Sequence, residues 1–474
     1  MKLIRVTNDM SEIFWGEGFT YLPTPAQFLY IIKNAKYVIT DSFHGTCFCI
    51  NFNKNFIDVL PENHSQRNRS VLDFFNSIIL IFLCSINILL TFDQSILCST
   101  KSNLSSEIKM RLVCEKDICT GCNACVNVCH KNAVTIVDTY KEFNAYIDED
   151  KCINCNMCMN VCPNRADINM LKPQKWLQGW TENEFNRKMS ASGGVATAIA
   201  SSFLKSGGMV CSCVYERGAF IYKMISDEMM LDNFRGSKYV KSNPGMIYID
   251  IMNALKENNK ILFIGLPCHV AALKKYMEVR KQNIQNLYTI DLICHGSPSP
   301  NILFNYLKNK KIEIGNIYNI NFRQKNLFGL SVNNRYIKQK GTYDGYTLAF
   351  LRGLIYTNNC YQCRYATDKR ISDITLGDSW GSDLADIEKK KGISLILCQT
   401  YKGEMLLSEA DIATKDVEQE KAIESNGQLK APFKKSKEYY RFWNNYNKDN
   451  LDYSVFLCFP VKCIKQRIKA IIFL

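Results

Sequence analysis

No secretory signal peptide opens the 474-residue sequence, and no recognised nucleic-acid-reading motif accompanies its scattered Lys and Arg residues. Nor does any apolar run reach the about 20 uninterrupted residues usual for a bilayer span. The first absence argues against a disulfide framework and for a reducing, cytoplasmic setting. The second argues against nucleic acid as a partner, and the third against a transmembrane anchor. Acidic side chains are the minority, 45 against 59 Lys and Arg, and the resulting charge of +14 suits an acidic redox protein, a phosphorylated cofactor or an anionic membrane face. Against these shortages stand 22 cysteines. A chain of this length needs no disulfide staples and exceeds the size of one hydrophobic core, so about two or three domains and several thiolate metal sites are expected.

Eight of the cysteines form two C-x2-C-x2-C-x3-C runs, at Cys119, Cys122, Cys125 and Cys129 and at Cys152, Cys155, Cys158 and Cys162. That spacing reads as a pair of 4Fe-4S clusters. Three thiolates of each run sit on one turn, and in two-cluster ferredoxins the fourth ligand comes from the other run. Cys162 is therefore expected to complete the first set and Cys129 the second. A zinc site or a disulfide framework is the blander reading of the same cysteines. The second run ends on Cys162-Pro163, whereas the first ends on Cys129-His130 and lacks the proline that stops the following helix.

The chain divides into parts of unequal character. Residues 1–75 are expected as a partial α/β lobe, with the end of a helix at 30–36 and a strand at 37–40 delivering Ser42-Phe43-His44-Gly45. Residues 76–110 form a hydrophobic linker, interrupted by Asn76 and Asn87. A compact α+β ferredoxin module is expected over 111–170, with strands at 133–136 and 145–148. A larger α/β domain follows over 171–435, and a basic-apolar tail over 436–474 closes the chain. In that tail Lys462–Leu474 mixes Lys, Arg and apolar residues at helical spacing, as either a peripheral membrane helix or a docking helix for the protein's own core would.

In the large domain Ser192-Gly193-Gly194 opens an apolar helix, where exposed backbone N–H groups suit a phosphate or a ring edge. Taken alone this is also an ordinary capped helix start. Cys268 and Cys294 each follow a strand candidate, at 261–264 and 287–290, and Cys360 and Cys363 form a C-x2-C pair. Together they make four thiolates, enough for a third 4Fe-4S cluster or a zinc ion.

On these residues the chain, from about 111 to 400, resembles the beta-subunit family of coenzyme F420 hydrogenase and dehydrogenase in the form carrying an N-terminal two-cluster ferredoxin module. The matching segments are Ser192–Thr197, Gly236–Val240, Gly265–Cys268, Cys294–Gly296, Cys360–Cys363 and Asp373–Gly381. The resemblance implies a flavin, FAD, beside an iron-sulfur cluster. It would exchange hydride with F420 or another two-electron partner such as a nicotinamide, and single electrons with the clusters. It further implies Ser192, Gly193 and Gly194 against the flavin or its pyrophosphate, Lys238 as a positive charge for phosphate or reduced flavin, His295 beside the cluster, and Asp378 at the cofactor edge.

Residues 1–75 resemble the last third of a polysaccharide pyruvyl transferase through Ser42-Phe43-His44-Gly45. There His44 would lie by the phosphoenolpyruvate site, while the family's other lobe has no counterpart in this sequence. The expectation is an α+β multidomain iron-sulfur flavoprotein oxidoreductase, with the N-terminal remnant suggesting a surface-polysaccharide pathway. A non-enzymatic electron relay and a pyruvyl transferase with a redox domain are the alternatives.

Overall fold

The computed structural model describes residues 5–7, 19–21, 32–35, 37–40, 55–58 and 110–472. It divides into two units, Met1–Ser105 and Ser106–Leu474. In the first unit β1 (Arg5–Thr7) pairs in parallel with β2 (Phe19–Tyr21), and β3 (Tyr37–Thr40) with β4 (Asn55–Asp58). The strand expected at 37–40 is therefore present, and residues 32–34 before it are helical. The Ser42–Gly45 motif with His44, and the apolar stretch up to residue 109, lie outside the described residues.

The second unit begins with a small ferredoxin-like segment. Its antiparallel sheet runs in the order β5 (Met110–Leu112), β7 (Phe143–Asp148), β6 (Val134–Asp138). Val134 faces Ile147 and Ile136 faces Ala145, so each cross-strand pair turns apolar side chains to the same inner face. Two short helices, Ala124–Val128 and Met157–Asn160, each start after an asparagine in the left-handed conformation, Asn123 and Asn156 at φ 60° and 59°. Asparagine tolerates that region better than most residues. Its recurrence directly after Cys122 and Cys155 gives both cysteine runs the same turn.

The larger α/β region is built on strands β8 (Lys175–Thr181), β9 (Met209–Glu216), β10 (Ala219–Ile225), β11 (Ile261–Gly265) and β12 (Leu287–Leu292). Chain order continues with β13 (Ile320–Gln324), β14 (Leu327–Val332) and β15 (Arg335–Tyr336), a separate small sheet, then β16 (Ile374–Asp378), β17 (Ser394–Cys398) and β18 (Ile412–Asp416). Eight of them form one mixed sheet in the order β10-β9-β11-β12-β16-β17-β8-β18. Its middle strands β9, β11, β12 and β16 are mutually parallel. Every residue of β11 is buried, as a central strand covered on both faces requires. Alternate side chains then serve different cores. Ile261 and Phe263 pack with the ferredoxin cysteines, whereas Leu262 and Ile264 pack under the helix Val195–Lys205.

A third apolar core gathers Tyr306, Phe322, Tyr346 and Tyr356 with Tyr439, Phe442, Leu451 and Val455. Residues 437–458 are thus folded into the large domain, and the following segment docks on it as well, with Phe459 and Cys463 against the same core, Tyr343 N–H donating to Gln466 Oε1 at 3.0 Å and Lys469 Nζ to Gly341 O at 2.9 Å. The helix Pro460–Ile472 is present as anticipated. Among the described residues no helix is long and apolar enough to cross a membrane.

Candidate functional site

Parallel strands that lie side by side end on the same edge of a sheet, which is where open α/β folds collect ligands. Here β11 leads to Cys268 in the first turn of the helix Pro267–Val279, β12 leads to Cys294, and β16 ends on Asp378. The expectation that both cysteines follow strand ends is met. Cys360 and Cys363 arrive from the 3-10 turn Asn358–Gln362. That turn is tied to the loop after Cys294, since Thr357 N–H donates to Ser297 O at 3.2 Å. Gly296 permits the approach: it has φ +137°, and a Cβ there would lie 2.4 Å from the Tyr356 ring.

Cys268, Cys294, Cys360 and Cys363 line one cavity of about 160 Å³, with Lys241, Thr120, Asn164 and Tyr365 in its wall. One water needs only roughly 10–15 Å³, so the space exceeds that of a single small ion. Among the described residues no group of three or more His, Cys, Asp or Glu side chains closes on a single metal ion. Tetrahedral zinc would need four donors within about 2.3 Å of one point. The four thiols share one cavity without converging on a single point. Cys360 Sγ is already offered two donors, Ser297 N–H at 3.5 Å and Asn359 Nδ2 at 3.7 Å, and lies 3.6 Å from the Thr357 hydroxyl.

Burial pushes the Cys268 thiol well up, against the pull of Lys241, and pushes Cys294 to about 12 and Cys363 to about 11, with the neighbouring thiols adding repulsion. Only a bound cation makes thiolates of all of them together.

A second, smaller cavity is lined by Cys119, Cys122, Cys125 and Cys162 together with Cys114, and not by Cys129. Cys162 of the second run thus stands in one wall with three cysteines of the first. On the other side Cys158 feels the charges of Cys129 and Cys152, and Cys155 is exposed. Thr120 and Asn164 belong to the walls of both cavities, so the two thiol sets are neighbours across one layer of side chains.

The remaining expected site residues gather beyond Cys294. Asp378 holds Arg323 through paired contacts of 2.6 and 3.0 Å, and Arg323 also donates to Ala191 O at 2.7 Å and to the Tyr239 hydroxyl at 3.3 Å. His295 feels both Asp378 and Arg323, with burial as the larger influence lowering its pKa, and it also lines the thiol cavity. The 191–194 loop, Tyr239, Asp378 and His295 are therefore one neighbourhood.

Lys238 donates to the carbonyls of Phe234 and Arg235, both at 2.8 Å, and burial lowers its pKa to about 8. Lys325 donates to Ser192 O at 2.8 Å, and burial likewise holds it at about 8. Ser192 Oγ donates to Ile393 O. Gly193 departs from the sequence expectation of an open N–H, because that group donates to Ser394 Oγ at 3.1 Å and a Cβ would strike Gly179 O at 2.4 Å. Its small size serves close packing of the loop on β8 and β17. Gly194, at φ +86°, supplies the left-handed turn before the helix.

Sequence reasoning missed Lys241, Arg323 and Cys114. Lys241 directly follows the Gly236–Val240 segment, the one signal that could have found it. Cys114 is buried outside both runs, and its thiol donates toward Cys119, which falls to about 7, and toward Cys162. Nothing local marks Arg323.

Residues 258–424 match the family model for the C terminus of the coenzyme F420 hydrogenase/dehydrogenase beta subunit. Residues 118–166 match a 4Fe-4S dicluster domain, and residues 13–64 a polysaccharide pyruvyl transferase. A comparison with curated proteins gives no match. Among solved structures, a chain of the F420-reducing [NiFe] hydrogenase complex from Methanosarcina barkeri is similar at 16% identity and a TM-score of 0.41, over 60% of this chain and 97% of that one. The chain is therefore similar, segment by segment, to three families, and the longest match is to the C-terminal part of coenzyme F420 hydrogenase/dehydrogenase beta subunits.

Proposed function

We propose that the protein is an iron-sulfur flavoprotein oxidoreductase that passes electrons between a hydride carrier, F420-like or nicotinamide, and 4Fe-4S clusters. The observation that carries this reading is the shared wall: Cys268, Cys294, Cys360 and Cys363 line one cavity, Cys119, Cys122, Cys125 and Cys162 with the additional Cys114 line the other, and Thr120 and Asn164 belong to both. Neighbouring metal centres separated by one side-chain layer are what single-electron transfer requires.

Cys119, Cys122, Cys125 and Cys162 would hold one cluster, Cys129, Cys152, Cys155 and Cys158 a second, and Cys268, Cys294, Cys360 and Cys363 a third. When bound, the clusters carry one electron each, and FAD links them to two-electron hydride chemistry. The chain's own groups do the rest. Arg323 and Lys325 bring positive charge to the 191–194 loop, where an anionic flavin or pyrophosphate gains from it, and Lys238 would add a further charge to the cofactor. Asp378 fixes the Arg323 fork, and His295 lies between that pair and the thiol cavity. Cys155, exposed at the other end, marks where a partner redox protein can approach.

The test is cofactor content. Anaerobically prepared protein should hold about 12 iron and 12 sulfide per chain, four of each per cubane, together with one flavin. Flavin bleaching by reduced F420, NADH or NADPH identifies the hydride partner. Full iron with no flavin after anaerobic reconstitution replaces this reading with an electron relay, and stoichiometric zinc with little iron removes it.

A further inference from the structure

The wall between the two thiol cavities contains more hydroxyl groups than the protein satisfies. Thr120, Tyr248 and Tyr365 are buried at 6%, 0% and 3% exposure. The hydroxyl of each lacks a hydrogen-bond partner among the described residues. A buried hydroxyl without an acceptor is costly, and native interiors contain few. Thr120 and Tyr365 stand in the cavity walls and Tyr248 in the apolar core behind them, where sulfur is the acceptor left to all three.

Their surroundings identify it. Thr120 lines both cavities and Tyr365 lines that of Cys268, while Tyr248 is packed in the same core as Cys119, Cys122 and Cys125. The Tyr365 backbone is also held in place. Arg370 Nη1 donates to Tyr365 O at 2.8 Å while its Nη2 is fixed by buried Asp291 at 2.6 Å.

We propose that Thr120, Tyr248 and Tyr365 donate their hydroxyl hydrogens to the sulfur atoms of the two facing centres and so set the potentials across which an electron crosses between them. The inference rests on the iron-sulfur reading of both cavities. Donors to sulfur stabilise the more negative, reduced state of a cluster and raise its potential. Were an electron to pass between centres held there, the hydroxyls of Thr120, Tyr248 and Tyr365 would keep their protons on oxygen throughout. The three residues tune and position; none of them is a ligand.

The test uses the full chain, prepared anaerobically, with Tyr365→Phe, Tyr248→Phe and Thr120→Val. Each removes a donor and keeps most of the packing volume. Iron and sulfide content is measured first, then the midpoint of each cluster by EPR-monitored redox titration.

The expected result is undiminished iron and a negative shift of one facing cluster in each variant. A tenfold loss in its reduction equilibrium corresponds to about 59 mV for a one-electron couple. The more exposed cluster of Cys155 should keep its midpoint. A variant that loses iron is replaced by the other two, whose positions are independent. Full iron with unchanged midpoints overturns the inference, leaving ordered water as the acceptor, without touching the proposed function. Absence of iron from the Cys268 cavity in the unaltered protein would instead remove that function, and this inference with it.

Discussion

Lys241 Nζ donates to Thr120 O at 3.0 Å, joining the large domain to the cysteine-rich turn of the ferredoxin-like segment. The same ammonium lies 3.4 Å from Asn359 Oδ1, next to Cys360, and 5.0 Å from the Phe143 ring centroid. With only 4% exposure it is a buried cation in the wall of the Cys268 cavity, and its charge also reaches Cys119 of the other set. Negative charge in those cavities is what it can compensate.

Lys241→Met should therefore do two things. It leaves the Thr120 carbonyl without its donor, a cost of about 1–3 kcal/mol, visible as a lower apparent unfolding temperature. It should also lower the midpoints of both facing clusters, because a positive charge no longer favours the reduced state. A variant with unaltered midpoints would show that the lysine only fastens the two segments together.

Cys268→Ser and Cys363→Ser should each lower iron from about 12 to about eight per chain, while the two ferredoxin-type EPR signals persist. The count follows from four iron per cubane and from both thiols lining one cavity. Retention of all iron in both variants excludes these residues as ligands.

Exchange of the fourth ligand is checked by Cys162→Ser against Cys129→Ser. Cys162 lines the cavity of Cys119, Cys122 and Cys125. Its loss should damage that buried cluster, whereas loss of Cys129 should damage the more exposed one. Mössbauer or EPR signals assigned by partial chelation separate the two, and the reverse pattern would return each run to its own fourth cysteine.

Asp378→Ala isolates the Arg323 guanidinium, whose side chain is only 5% exposed. Leaving such a cation unpaired costs about 3–5 kcal/mol. It also loosens the hold of Arg323 on Ala191 O, so flavin affinity should fall together with thermal stability. Arg323→Lys cannot reproduce the two-pronged contact and should show the same affinity loss with milder destabilisation. Unchanged flavin binding in both would separate the ion pair from the cofactor.

How much of this is legible in sequence depends on the range of the interactions. The cysteine runs are local, and spacing alone reveals them, whereas the left-handed turn at Asn123 and Asn156 emerges only in the fold. Cys268 and Cys294 can be placed at strand ends because apolar strands end where the pattern breaks. The meeting of those two with Cys360 and Cys363 depends on β11, β12 and β16 lying parallel and adjacent, which no local pattern encodes. Lys241, Arg323 and Cys114 escape for the same reason, since each acts on residues distant in sequence or outside a motif. Gly193 shows the opposite failure. Its glycine is visible in the sequence, but the backbone that demands it, Gly179 on β8, is not.

Lys238 gives the pH prediction. Burial is the main cause of its lowered pKa, partly offset by the Cys213 thiol facing it, and the value falls to about 8. A depressed lysine is charged below that value and neutral above it, so its attraction for an anion is present at pH 7 and fades as pH rises through about 8. The linkage is reciprocal: bound anion favours the ammonium, so the transition should move upward once flavin is in place. FAD affinity, followed by fluorescence quenching between about pH 6.5 and 9.5, should decline across this window in the unaltered protein. In Lys238→Met it should be weaker at pH 7 and nearly flat. Two of the ammonium's hydrogens already go to Phe234 O and Arg235 O, so a purely structural lysine is the competing role. That role predicts lost stability in the variant with an unchanged pH profile for FAD, and such a profile would remove Lys238 from the cofactor site.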